Sequence, residues 1–258
     1  MDWIKYKDML MNKNISYWDI STYILTQLPR KLYRYRSFNS YWKNNIYKGE
    51  VRLSFPEYYN DPFDSKIVYD KNFLKNLSFF KEGNHERAEE IYFSIRKKGE
   101  NVLRKSMQVA CFSEVKDSIL MWSHYSASHT GYCIEYDTNK LDNCIRRLFL
   151  PVLYQRSNEI IYNKKMLDNP NLRFTPIVLK SDIWSYEKEW RIFATSDFFN
   201  NRNCLNFSEA ICGIYIGEQC MDSCTINEIA EWGIRNNIAV YQMKMDETDY
   251  KLLPLKIT

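Results

Sequence analysis

The stretch LYRYRSFNSYWKNNIYKGEVRLSF, residues 32–55, predicts a strand, a helix and a second strand in quick succession. Residues 32–36 alternate in the manner of a half-buried strand, and residues 37–47 are predicted to be helical. Gly49 stands where a helix usually ends, and residues 50–55 form the second strand. Helices and strands are therefore interspersed from the first part of the chain.

The flanking sequence adds helices before this unit and a mixture of both elements after it. Residues 1–29 are predicted to form two short amphipathic helices that end at Pro29, and residues 71–105 a charged helical insertion. Further strands are predicted at 109–112, 131–136, 150–154, 189–195, 211–216, 238–243 and, as an edge strand, 250–257, with helices at 117–125 and 226–235.

These elements lack the regular spacing of a parallel α/β protein. Several connections are too short for parallel crossovers, so we predict an α+β fold with a mixed, mostly antiparallel sheet. No repeat or linker divides the chain. We therefore expect one domain, with an N-terminal helical segment at 1–29, a core at 30–258 and a helical insertion near 71–106.

Composition excludes several classes of function. Seven glycines in 258 residues form neither a dinucleotide-binding nor a P-loop motif. A net charge of +4 is too small and dispersed to indicate nucleic acid binding by itself, and the seven cysteines form no C-x-x-C pair. No run of about 18 apolar residues occurs. We expect a cytoplasmic protein that does not bind or cross a membrane.

The stretch Trp184-Ser-Tyr-Glu-Lys-Glu-Trp-Arg191 is the strongest candidate for chemistry. Strand alternation would place Glu187 and Glu189 on one face, with the aromatic residues on the other. Two like charges side by side on a partly buried face repel each other. They need a cation, a bound polar ligand or a raised carboxyl pKa, any of which indicates a functional site.

Two arginines and a polar loop are further candidates. Arg34 and Arg36 share a strand face, from which they could clamp phosphates or simply extend into water. Asn60 and Asp61 begin the loop at 60–64, which could hold a ribose hydroxyl or a metal, or form only a tight turn.

His124 and Tyr125 end a predicted helix and could orient a ligand, although a lone histidine is more often structural. His124 and His129 lie five residues apart, which is not the spacing of a helical zinc pair. We therefore expect no metal site built on them.

The chain resembles a bacterial family that is known as a domain of unknown function, over about residues 30–255. The resemblance lies in five motifs in the same order: Leu-Tyr-Arg-Tyr-Arg-Ser at 32–37, Asn-Asp-Pro-Phe-Asp at 60–64, Cys-Phe-Ser at 111–113, Met-Trp-Ser-His-Tyr at 121–125, and Trp-Ser-Tyr-Glu-Lys-Glu-Trp-Arg at 184–191. The family itself implies no activity.

A fainter resemblance is to the ADP-ribosyltransferase fold. Arg34 or Arg36 matches its first-strand arginine, Ser54 its serine, and Glu187-x-Glu189 its late acidic pair. The resemblance implies that the chain binds NAD as a substrate without a glycine-rich loop. It implies that Glu189 stabilises positive charge on the ribose, Glu187 orients the nucleophile and an arginine holds the pyrophosphate.

The resemblance thus implies an NAD-consuming transferase or glycohydrolase that acts on an unknown protein or nucleic-acid acceptor, as a bacterial toxin or phage-defence effector. Two alternatives stay open. One is a non-catalytic module that binds a ligand or nucleic acid. The other is a metal-dependent nuclease built on Asp61, Asp64, Glu187 and Glu189.

Overall fold

A computed structural model describes residues 1–65, 94, 97–98, 104–156, 169–195 and 203–258. The predicted helical insertion at 71–105 lies almost wholly outside the described residues. Residues 94, 97–98 and 104–106 are helical. In the described part, no helix is long and apolar enough to cross a membrane.

The helices and strands follow one another along the chain as the interspersed pattern predicts. In order they are α1 (Trp3–Met11), α2 (Tyr17–Leu25), β1 (Lys31–Arg36), α3 (Trp42–Tyr47), β2 (Glu50–Arg52), β3 (Met107–Ser113), α4 (Ile119–Tyr125), β4 (Tyr132–Asp137), α5 (Asn143–Arg146), β5 (Phe149–Pro151), β6 (Leu153–Gln155), β7 (Leu179–Ser181), β8 (Glu189–Thr195), β9 (Cys204–Asn206), β10 (Ile211–Ile216), α6 (Ser223–Asn236), β11 (Ala239–Met245) and β12 (Leu252–Lys256).

Eight strands form the main sheet, in the order β12-β11-β10-β4-β1-β3-β8-β5. Neighbouring strands are antiparallel except β10 and β11, which are parallel and are joined through α6. Two smaller sheets pair β2 with β9 and β6 with β7. The prediction of an α+β domain around a mostly antiparallel sheet is confirmed.

The two N-terminal helices form where their amphipathic pattern predicts them. Asp2 caps α1 by accepting a hydrogen bond from the Lys5 main-chain N–H, and Ser16 and Asp19 form a capping box on α2. The apolar side chains that these helices bury are Tyr6, Leu10, Ile20 and Ile24. They pack into the larger of the two apolar clusters that the described residues form.

Several predicted elements differ from the structure in their extent, among them the strand expected at 50–55, which ends at Arg52. The helix expected at 37–47 begins only at Trp42, because Asn39 accepts a hydrogen bond from the Tyr41 N–H and forms a turn there. It ends at Tyr47, and Gly49, two residues later, has a φ of 63°, in the left-handed region that glycine favours. The strand expected at 150–154 is interrupted at Val152, so that β5 pairs with β8 whereas β6 pairs with β7.

The main sheet is split between β1 and β3. β1 pairs with β4 along its whole length, from Lys31 to Arg36, whereas the described residues of β1 and β3 pair only at Tyr33 and Ser113. The β3 residue Val109 instead exchanges two main-chain hydrogen bonds with Ser54, at 2.8 and 2.9 Å. The chain that follows β2 thus enters beside β3, and a cavity opens where the two neighbouring strands diverge.

Candidate active site

A cavity of about 350 Å³ lies at this split in the sheet. It brings together eight of the nine residues that the sequence singled out. They are Arg34, Arg36, Ser54, Asn60, His124, Tyr125, Glu187 and Glu189. These residues come from four separate stretches of the chain, so the convergence is produced by the fold.

Asp61 is the predicted residue that does not line the cavity. Its carboxylate accepts a hydrogen bond from the Phe63 main-chain N–H at 2.8 Å, which forms an Asx turn. Asp64, three residues later, faces the cavity instead. The loop therefore contributes Asn60 and Asp64 to the site, while Asp61 fixes the turn between them.

Lys180 lies at the centre of the acidic side of the cavity. Its ammonium is 2.5 Å from Glu187 Oε2, 3.0 Å from Glu189 Oε2 and 3.9 Å from Asp64 Oδ2, and all four side chains are buried. The sequence analysis missed this residue. Its signal was a single lysine in the apolar run that begins at Ile177, a position where a charge needs partners.

Arg191 closes the same cluster from β8, and its side chain is fully buried. It makes two hydrogen bonds to Glu189, at 2.8 and 2.9 Å, and two to Asp64, at 2.8 and 2.6 Å. A further one goes to the Ile177 carbonyl at 2.5 Å. The guanidinium thereby uses its full set of donors, and it clamps two carboxylates from distant parts of the chain. Sequence reasoning missed Arg191 too, although it shares a strand face with Glu189.

The two glutamates meet by a route that strand alternation did not predict. Glu187 is the last residue of a 3-10 helix, Asp182–Glu187, and is not in a strand. Lys188 then adopts a left-handed conformation with φ 44°, and Glu189 begins β8. The predicted alternation over 187–189 is therefore wrong, yet the turn brings both carboxylates to Lys180.

The two carboxyl groups have different proton affinities. Burial raises the pKa of Glu187 to about 7, and the neighbouring Glu189 charge adds to this effect. Burial would also raise the pKa of Glu189, but Arg191 and Lys180 outweigh it and hold that pKa well below its usual range. The Glu187 carboxyl therefore holds its proton more tightly than the Glu189 carboxyl does.

Neutral hydrogen-bonding groups hold these glutamates in place. The Tyr125 hydroxyl donates to Glu187 Oε1 at 2.7 Å, and the Ser113 hydroxyl donates to the Glu187 carbonyl at 2.6 Å. The Tyr154 hydroxyl accepts from the Glu189 main-chain N–H at 2.9 Å. Each side of the acidic pair is therefore fixed to a different element of the fold.

Arg34 forms part of a different wall and has a different kind of environment. Its side chain is largely buried, donates one hydrogen bond of 2.6 Å to the Arg52 carbonyl and lies 5.6 Å from the centre of the Phe112 ring. Among the described residues no carboxylate forms an ion pair with Arg34 or with the half-buried Arg36. Burial, with Arg36 adding to it, lowers the pKa of Arg34 to about 10, so the guanidinium still carries its charge at neutral pH. A buried cation without an anion favours the binding of an anionic ligand.

The remaining predicted residues occupy the rim and the floor. The main chain of Ser54 pairs with Val109, and its side chain lines the cavity. Asn60 is exposed and lines the cavity. His124 is exposed and meets Trp184 edge-on at 6.0 Å, whereas His129 lies outside the cavity lining.

The acidic residues of the cavity face cations that belong to the chain itself. Asp64, Glu187 and Glu189 surround Lys180 and Arg191 at hydrogen-bond or ion-pair distances. Within the described ranges, no group of three histidine, cysteine, aspartate or glutamate side chains is placed to hold a metal ion. The space between these carboxylates, where the nuclease alternative requires a metal, is filled by an ammonium and a guanidinium.

One family model matches this region. It is described as a protein of unknown function (DUF2971), and the match covers residues 121–192. This span runs from α4 to β8 and includes Tyr125, Lys180 and both glutamates of the acidic pair. The predicted resemblance to a domain of unknown function is thereby confirmed. No curated protein and no solved structure matches the chain.

Proposed function

We propose that this chain, which shares residues 121–192 with a family of unknown function, binds NAD in the cavity and cleaves the bond between nicotinamide and ribose. The ADP-ribosyl group then passes to water or to a protein or nucleic-acid acceptor. One observation carries the proposal. Within the described residues, a buried arginine without a carboxylate partner and three buried carboxylates gathered around Lys180 border the same cavity.

Arg34 and Arg36 form one wall of the cavity, the arginine wall, which suits the pyrophosphate of the substrate. Arg34 has one donor on the Arg52 carbonyl, which leaves its other N–H groups for phosphate oxygens. Arg36 adds a second positive charge on the same wall. Hydroxyl and amide groups at Ser54 and Asn60 suit ribose hydroxyls, and the Tyr58 ring at the rim offers a face for a planar base.

Asp64, Glu187 and Glu189 form the acidic wall of the cavity, which suits the charge that develops during cleavage. As the glycosidic bond breaks, positive charge builds on the ribose, and a nearby negative group stabilises it. When Glu187 is ionised, three carboxylates face two cations, and the cluster carries one net negative charge. When Glu187 is protonated, the cluster is neutral. The ionisation of Glu187 therefore decides whether the acidic wall can stabilise the reacting ribose.

This geometry redistributes the roles that the ADP-ribosyltransferase resemblance implied. Both oxygens of Glu189 are held by Arg191, and one also by Lys180. We assign to Glu189 the task of keeping these two cations in place. Glu187 takes the role that responds to the reaction, because it supplies the net negative charge and receives the proton of the acceptor.

An activity of this kind consumes a metabolite on which every cell depends. It suits the bacterial toxin or phage-defence effector that the resemblance implies, and it places the reaction in the cytoplasm, where NAD is found.

The test is the release of nicotinamide from NAD by the purified chain, measured by chromatography with water, protein and nucleic acid offered as acceptors. We expect Glu187→Gln to lower the rate by about 100-fold or more. Arg34→Gln is expected chiefly to raise KM, because it removes a contact made in both ground and transition states. Glu135→Gln, at a buried glutamate outside the cavity lining, is the control and keeps the wild-type rate.

Two results would overturn the proposal. The first is NAD binding without any nicotinamide release by the wild type, which would make the chain a binding module. The second is cleavage of nucleic acid that a chelator abolishes and that needs no NAD, which would favour the nuclease. Equal nicotinamide release by the wild type and Glu187→Gln would remove the assigned role of the acidic wall.

A further inference from the structure

Glu187 borders the cavity but has little direct contact with it. Its side chain is 3 % exposed, and both oxygens are already occupied. Oε1 accepts from the Tyr125 hydroxyl at 2.7 Å and Oε2 from the Lys180 ammonium at 2.5 Å. A ligand in the cavity therefore reaches this carboxylate through one of these two groups.

Tyr125 is the group that can pass a proton on. A phenol hydroxyl both donates and accepts, so it can receive one proton as it gives up another. Lys180 has three donors and no acceptor while it is protonated. Burial would lower the pKa of Lys180, but Glu189 and Glu187 outweigh it and hold that pKa above its usual range, so the ammonium stays charged.

We propose that Tyr125 is the relay that connects Glu187 to the acceptor of the reaction, an inference that rests on the proposed function and deepens it. As the O–H bond of the acceptor breaks, its proton bonds to the Tyr125 oxygen. In the same step, the proton of Tyr125 moves to Glu187 Oε1. The acceptor oxygen bonds to the ribose carbon as the bond from that carbon to the nicotinamide nitrogen breaks, and nicotinamide leaves as a neutral molecule with the electron pair of that bond. The phenol is regenerated, Glu187 becomes neutral, and no oxidant or reductant is needed.

The fold holds the phenol in the position that a relay requires. Tyr125 is the last residue of α4, where it lines the cavity and is half-buried. Asn60, in the loop that follows β2, lines the same cavity. Ser113 fixes the main chain of Glu187 through the bond to its carbonyl. Donor and acceptor are thereby fixed from two separate elements, α4 and β3.

Several charged and titratable groups surround Glu187, and their contacts distinguish Tyr125 from the rest. Lys180 and Glu189 face it across the cluster, with Asp64 behind Lys180. The charge of Glu187 also helps to raise the pKa of Tyr154 and that of Tyr186. Among the described residues, Tyr125 is the phenol with a hydrogen bond to the carboxylate itself.

The experiment compares Tyr125→Phe with Tyr215→Phe. Each variant removes a hydroxyl that donates to a buried glutamate, since Tyr215 donates to Glu135 Oε2 at 2.5 Å. The rate and pH profile of nicotinamide release are measured, and the Glu187 carboxyl is titrated by carbon-13 NMR without NAD. We expect Tyr125→Phe to lower kcat by about 100-fold with little change in KM, and to shift the acidic limb of the profile and the Glu187 midpoint to higher pH. Tyr215→Phe is expected to change neither.

If the wild type releases nicotinamide and Tyr125→Phe retains its rate and pH profile, the relay is wrong while the proposed function stands. If the wild type releases none, the proposed function fails with the relay step. The NMR titration still reports whether Tyr125 controls Glu187, and an unchanged midpoint in Tyr125→Phe would refute that control independently.

Discussion

Glu135 and Glu187 are two buried glutamates with the same kinds of partner and opposite proton affinities. Glu135 accepts from the Lys31 ammonium at 2.6 Å and from the Tyr215 hydroxyl at 2.5 Å. Glu187 likewise has a lysine at 2.5 Å and a tyrosine hydroxyl at 2.7 Å. Yet the pKa of Glu187 is raised to about 7, chiefly by burial, whereas that of Glu135 is lowered, because its hydrogen bonds and the Lys31 charge together outweigh the effect of burial.

The difference lies in how many carboxylates share each lysine. Lys31 forms an ion pair with Glu135, and the Cys212 thiol adds a third hydrogen bond to that carboxylate. Lys180 is shared between Glu187 and Glu189, so neither receives its full charge, and the two carboxylates repel each other. A lysine and a tyrosine therefore do not by themselves fix the charge of a buried glutamate. In this protein, the site that lacks enough cations is the one that opens into the cavity.

The largest difference between the two glutamate sites is expected in the stability lost when the lysine of each site is removed. Lys180→Met leaves three buried carboxylates with one cation, and we expect it to lower the free energy of unfolding by about 3–5 kcal/mol. Lys31→Met is the matched change, and we expect it to cost about 1 kcal/mol, because water replaces an ammonium at the surface. Urea denaturation of both variants at neutral pH is the measurement.

The half-exposed position of Lys31 is what makes it the control. Its side chain is 55 % exposed, compared with 5 % for Lys180. Equal losses in the two variants would contradict the view that sharing and burial distinguish the lysines. A smaller loss for Lys180→Met would show that water enters the cavity and solvates the carboxylates.

The second contrast is in the pH dependence of stability. The folded-state pKa of Glu187 lies above the usual value of 4.5, so its contribution is complete below that value and is lost as pH rises through about 7. We expect this loss to reach about 3 kcal/mol by pH ~8, and Glu187→Gln to abolish it. The free energy of unfolding of this variant, measured by urea between pH ~5 and ~8, should therefore rise relative to the wild type.

The contribution of Glu135 to stability changes with pH in the opposite direction. Its pKa is lowered in the folded state, so its contribution to stability is present above the usual value and is lost as pH falls. Glu135→Gln should consequently differ from the wild type most at neutral pH and least in acid. If both variants change the pH profile in the same direction, the contrast between the two glutamates does not hold.

The sequence predicts the strands that border the site better than it predicts their contacts. The strands β1, β8 and β10 follow local apolar patterns, and burial of one face is enough to produce such patterns. The like charges at Glu187 and Glu189 also indicated that a cation or a raised pKa would be found there. Both are present, in Lys180 and in the pKa of Glu187.

The pairing of distant residues could not be read from these patterns. Arg191 and Asp64 are 127 residues apart, and nothing in either local sequence identifies the other as its partner. The left-handed conformation at Lys188 is equally hidden, because lysine has no preference for it. These two features, together with the split beside β1, assemble the acidic wall from segments that sequence reasoning treated separately.

The smallest difference between Glu135 and Glu187 is expected in how their titration midpoints respond to salt. Raising NaCl from about 0.05 to about 1 M shortens the Debye length to about 3 Å and weakens charge interactions that water can reach. Lys31 is half exposed, so we expect the carbon-13 titration midpoint of Glu135 to rise by a few tenths of a pH unit. Glu187 is held inside a cluster in which every charged side chain is at most 5 % exposed, and its midpoint should move by less than about 0.1. A larger shift at Glu187 than at Glu135 would mean that ions enter the cavity, and burial would then not be what keeps the pKa of Glu187 raised.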